Sequence, residues 1–110
     1  MTRAYINFDY GSFLRDEELK KDGSNFIEWY RHLRMLLVAN DKLYVIQKPL
    51  GDKPGDSTSK EDNFNYQTRS DDSIIVQCAM IFAMEIELWE RFDKTEAYQI
   101  VVELDRKSVV

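Results

Sequence analysis

Few residues in this chain have the types that carry out chemistry. There is one histidine, His32, one cysteine, Cys78, and one Asp-Asp pair, Asp71 and Asp72, in a helical pattern. Catalysis needs a nucleophile, a base or a metal held in converging geometry, and these residues are not spaced for it. His32 lies between Arg31 and Leu33, which reads as a surface or boundary position on a helix. Cys78, in Val-Gln-Cys-Ala-Met, reads as a small buried hydrophobe. A lone thiol excludes an intramolecular disulfide and a Cys-rich zinc site, and it suits a reducing compartment. Neighbouring residues on a helix point apart, so Asp71 and Asp72 read as part of a solvated face rather than a cation site. The four glycines are isolated, and none precedes a Lys-Ser or Lys-Thr pair, so no phosphate-cradling loop is present. The expectation is a protein with no enzymatic activity, no cofactor and no metal.

Nucleic-acid binding is the next class to weigh, because 13% of the residues are aromatic. Single-strand binders set exposed aromatics in a positive groove. Here Trp29, Tyr30, Phe82 and Trp89 fall at core spacing. The formal charge is −5, with 20 acidic residues against 15 basic ones. Phosphate neutralisation dominates non-specific affinity, and this balance does not supply it. The local basic cluster Arg31, His32 and Arg34 is too small to reverse the argument.

The elements that must position these residues are legible from patterning. At 110 residues and 44% apolar content the chain is one domain with a packed core. Residues 1–11 read as a loose lead-in. A short helix is expected from Ser12 through Lys21, stopped by Asp22-Gly23, where glycine takes a positive φ readily. Asn25 and Glu28 are placed as a reciprocal capping pair for a second helix. On that helix Phe26, Trp29, Tyr30, Leu33, Leu36 and Leu37 share a core face. Ile27, Met35 and Val38 fall elsewhere, a second apolar strip that another helix or a partner must cover. The segment 41–47 suits a short helix or an extended turn.

A Pro/Gly loop follows over 47–57, holding both prolines and two of the four glycines. Ser57, Thr58 or Ser59 can cap a long helix running towards Met84. Residues 73–84 are apolar on nearly every side, which predicts the central helix of a bundle. A short helix over 86–92 comes next. Asp93 and Glu96 then offer a capping pair for a last helix with the stripe Ala97, Ile100, Val101 and Leu104. No segment reaches the roughly 20 apolar residues that span a bilayer, and the first residues lack a signal-peptide core. The expectation is a cytoplasmic protein without a membrane segment.

One stretch is more specific than any of these patterns. The string DGSNFIEWYRHLRMLLVANDKLYVIQKPL, residues 22–50, resembles the amino-terminal capsid region of the Gag polyprotein of plant copia-type retrotransposons. The residues that carry the resemblance are Asp22, Gly23, Ser24, Asn25, Phe26, Trp29, Leu33, Arg34, Leu43, Tyr44, Val45 and Pro49. Similar residues continue at Tyr66, Asp71-Asp72, Val76-Gln77-Cys78, Met84, Glu87-Leu88, Phe92 and Ala97-Tyr98.

The resemblance implies an all-α bundle of five or six helices over residues 12–110, like a capsid amino-terminal lobe. Its core is expected around Trp29, Leu33, Leu36, Leu37 and the segment 78–82. It also implies a structural role: weak homo-oligomerisation in a particle shell around retroelement RNA. Contact with RNA is then indirect, because capture belongs to the zinc knuckle and basic tail of a complete Gag. The strip Ile27, Met35 and Val38 is the expected partner face, and the stripe of the last helix is expected to pack against segments that a longer Gag would supply. Another reading is a domesticated Gag fragment that binds a host protein or blocks assembly. A third is a relic with no selected role.

Overall fold

The computed structural model describes residues 18–55 and 59–108. They form helix α1 (Phe26–Ala39), a 3-10 helix (Leu43–Ile46), and helices α2 (Lys60–Phe82), α3 (Ile86–Phe92) and α4 (Ala97–Ser108). The all-α class is as expected. Among the described residues there are four α-helices and one 3-10 helix, short of the five or six α-helices anticipated. The lead-in 1–11 and most of the helix expected from Ser12 lie outside the described residues. The described end of that segment, 18–21, is not helical.

Leu19 instead forms an isolated bridge with Met84. Its N–H donates to the Ala83 carbonyl at 2.8 Å, and its own carbonyl accepts from Glu85 N–H at 2.9 Å. Leu19 is fully buried, so this short segment closes the core over the corner between α2 and α3. The DGSN turn holds it there. Gly23 has φ +73° and donates to the Lys20 carbonyl at 2.9 Å. A Cβ at Gly23 would meet nothing within 4 Å, so it is conformation and not space that favours glycine. Asp22 Oδ1 accepts from Ser24 N–H at 2.9 Å, an Asx turn.

Asn25 occupies the N-cap position of α1 but makes no side-chain cap bond, contrary to the expected capping pair with Glu28. Its amide is committed backwards: Oδ1 accepts from Lys20 N–H and Nδ2 donates to the Glu18 carbonyl, both at 2.9 Å. One side chain cannot serve both ends, and tying down the incoming segment prevails.

On α1 the buried residues are Phe26, Trp29, Leu33 and Leu37, with Tyr30 and Leu36 half-buried at the margin. Trp29 is fully buried, and its indole N–H donates to the Ala83 carbonyl at 2.9 Å. A buried indole needs such a partner. Because Ala83 ends α2, this bond and the Leu19 bridge anchor α1 and the incoming segment to the same corner.

Asp41, with φ +58°, turns the chain out of α1, and residues 43–46 form a 3-10 helix that buries Val45 and Ile46. The loop that follows is anchored. Leu50 N–H donates to Glu96 Oε2 at 2.6 Å, and the Leu50 carbonyl accepts from Arg69 Nη1 at 3.2 Å. Ser59 is the cap of α2, accepting from Asp62 N–H at 3.1 Å; Ser57 and Thr58 lie outside the described residues.

Helix α2 departs furthest from expectation. It buries Ser73, Val76, Ala79 and Met80, and the elements packed most closely on it are α3, α4 and the 3-10 helix. Ile74, Ile75, Cys78 and Phe82 are exposed. A helix central to the bundle would bury both sides; α2 is covered on one side only, so Cys78 and Phe82 are not core residues. Glu96 uses a carboxylate oxygen on Leu50, and the capping pair expected with Asp93 is replaced by this cross-link. On α4, Ala97, Ile100, Val101 and Leu104 are all buried within the domain. Their stripe therefore needs no further segment to cover it, contrary to expectation.

Candidate interaction surface

Eleven of the twelve residues that carry the resemblance fall into two structural groups. Asp22, Gly23, Ser24, Asn25, Phe26, Trp29 and Leu33 build the turn, its clamp and the core face of α1 described above. The Ser24 backbone hydrogen bond, followed by the Ser24 side chain, holds the Asp22 carboxyl below its ordinary value of 3.8. Leu43, Tyr44, Val45 and Pro49 belong to the 3-10 helix and the loop after it. Arg34 is exposed, with its guanidinium 5.9 Å from the Tyr30 ring centre.

Tyr44 and Asp72 meet in a polar cluster that the sequence did not anticipate. The Tyr44 hydroxyl donates to Asp72 Oδ2 at 2.5 Å, and Lys42 Nζ lies 3.3 Å from Asp72 Oδ1. Burial comes first, then the Asp72 hydrogen bond and charge, in pushing the Tyr44 phenol far above its ordinary value of 10.0, against a smaller opposing effect of Arg69. The adjacent acids thus diverge: Asp72 ties α2 to the 3-10 helix, while exposed Asp71 accepts from Gln67 Nε2 at 2.9 Å. Asp72 is a structural tether, not part of a solvated face. Its signal, a tyrosine 28 residues away, has no local periodicity.

Beside that tether is a cleft lined by Tyr44, Lys48, Pro49, Leu50, Arg69 and Glu96, with a volume of about 20 Å³. A second, lined by Lys20, Lys21, Asp22, Phe26, Leu88 and Arg91, measures about 50 Å³. Either has room for only a few waters, whereas small-molecule sites run to roughly 300–1,000 Å³. Among the described residues no three His, Cys, Asp or Glu side chains are grouped to hold a metal ion. His32 is exposed on α1. No helix of the described residues is long and apolar enough to cross a membrane.

What remains is apolar surface. On α1, Ile27 is 66% exposed, Met35 67% and Val38 56%, so nothing in the described chain covers the strip marked out from sequence. At about 3.6 residues per turn these three share a face with exposed Arg31 and Arg34, opposite the core face. Sequence reasoning missed a second uncovered face. Ile74, Ile75, Cys78 and Phe82 run along the outer side of α2, with Phe64 further up the same side. Phe82 packs edge-on against Trp89 of α3, with ring centres 5.3 Å apart, and so extends the face onto the helix that carries exposed Ile86. The signal was present as spacing but was hidden by the apolar residues on the buried side of the same helix. No family model, curated protein or solved structure matches this chain.

Proposed function

We propose that this chain is a structural, self-associating module of the copia-type Gag kind, contributing to a particle shell through weak, repeated contacts between helix faces. The observation that carries the reading is the uncovered apolar strip Ile27, Met35 and Val38 on α1. Exposed apolar patches beyond a few hundred Å² mark interaction sites in soluble domains. The turn motif of the resemblance supports it in another way, since its residues build one rigid clamp beneath α1 and leave the outer face of that helix for contact.

Such a module has no reaction mechanism. The clefts are small, and the groups best suited to chemistry, Tyr44 and Asp72, are engaged with each other. RNA contact is indirect in this reading, given the acidic balance of the chain. The setting proposed is the cytoplasm, where an exposed free Cys78 stays reduced.

An NMR dilution series tests the proposal. Amide resonances of Ile27, Met35 and Val38 should shift with concentration while those of Trp29 and Leu33 stay fixed. Resonances that are invariant up to about millimolar concentration, where contacts of about 4 kcal/mol populate, would reject self-association. A host-protein adaptor would then be the better account.

A further inference from the structure

The two uncovered faces differ in charge, and the difference bears on how copies meet. The α1 face interleaves Ile27, Met35 and Val38 with Arg31 and Arg34, all exposed. The outer side of α2 from Phe64 to Phe82 carries Asp71 and no lysine or arginine. On α3, exposed Glu87 and Glu90 lie beside exposed Ile86. Exposed Glu28 borders the first face, and exposed Arg91 of α3 lies 3.8 Å from Glu103, so the first face is apolar with a basic excess and the second apolar with an acidic excess.

Their lengths also agree. Ile27 to Val38 spans roughly 16 Å of helix at about 1.5 Å per residue, and Ile74 to Phe82 spans roughly 12 Å before Ile86 extends the strip.

We propose that the α1 face of one copy docks on the α2–α3 face of a second copy, with Arg31 and Arg34 opposite Glu87 and Glu90. This rests on the self-association reading and specifies its interface. Pairing α1 with α1 sets arginines against arginines, and pairing the α2–α3 faces sets carboxylates against carboxylates. Only the mixed pairing brings opposite charges to the rim of the apolar contact, and like-charge juxtaposition is a strong discriminator between pairings. A contact between two different faces is heterologous, so a docked pair still presents one free face of each kind. Growth therefore continues into a ring or an open chain and does not stop at a dimer.

Charge reversal tests the inference without touching the core. Light scattering on the wild-type chain should show species larger than a dimer as concentration rises. Arg31→Glu with Arg34→Glu should abolish association, and so should Glu87→Lys with Glu90→Lys. An equimolar mixture of the two variants should recover it, because both faces are then complementary between unlike chains. Thermal melts of each variant alone should match wild type, since all four side chains are exposed. A wild type that associates and stops at a dimer overturns the mixed pairing while self-association stands. The pairing is likewise overturned if either variant associates as wild type does, or if two folded variants fail to recover on mixing. A wild type that remains monomeric removes both this pairing and the reading beneath it.

Discussion

Leu33 and Arg31 lie on the same turn of α1, one with no exposed surface and the other in solvent. Replacing Leu33 with Asp buries a charge with no partner, which should cost about 3 kcal/mol or more, while Arg31→Ala should change stability by no more than about 0.5 kcal/mol. Denaturant titration of both variants checks the pair; equal losses would mean that the core face of α1 is misassigned. Tyr44 makes a prediction in pH. Its folded phenol holds its proton well above 10.0, the value near which the unfolded side chain releases it. Below that pH the group contributes no pH dependence. As pH rises above 10 the unfolded state loses the proton and the folded state retains it, so stability falls. Tyr44→Phe should flatten this decline relative to wild type, and parallel pH profiles would contradict a phenol held protonated by burial and by Asp72. At this scale the sequence was readable where a residue answers to its neighbours along the chain, as Phe26, Trp29, Leu33 and Leu37 do. It was unreadable where the partner is remote. Nothing local says that Asn25 binds Glu18 and Lys20 in place of Glu28, or that Asp72 binds Tyr44.

The helices teach a related lesson through α2. Its segment 73–84 is apolar on most sides, a composition that fits a central position, yet Ser73, Val76, Ala79 and Met80 are buried while Ile74, Ile75, Cys78 and Phe82 stay exposed. Periodicity reports which residues can be buried, and packing decides which are. Cys78 is the direct probe. An exposed thiol should react with an aromatic disulfide reagent in the native state at a rate close to that in denaturant, whereas a core cysteine would be protected until unfolding. Protection of Cys78 by several orders of magnitude would return α2 to the centre of the bundle and remove its outer face as an interaction surface. The last helix errs in the other direction. Ala97, Ile100, Val101 and Leu104 resemble a stripe awaiting a partner, and the domain itself covers them. Amphipathic pattern identifies a face in both cases but not its occupant.

At the scale of the whole molecule, the class was legible because length, apolar content and helical periodicity agree on a helical domain with one loop. The uncovered strip on α1 was legible too, since Ile27, Met35 and Val38 fall off the core face at helical spacing. The charge contrast between two faces was not, because it depends on which side of α2 the fold leaves open and on where α3 turns. Each face offers only a few apolar side chains, whereas a standard stable interface takes roughly 800 Å² per partner. Association between copies is therefore weak, with a dissociation constant of about 10 μM to 1 mM, equivalent to about 4 to 7 kcal/mol. Sedimentation velocity across that range of concentration is the most direct test of the central claim. The account predicts a weight-average sedimentation coefficient that climbs steadily with concentration past the value for a dimer. A single monomeric boundary at the top of the range would contradict it.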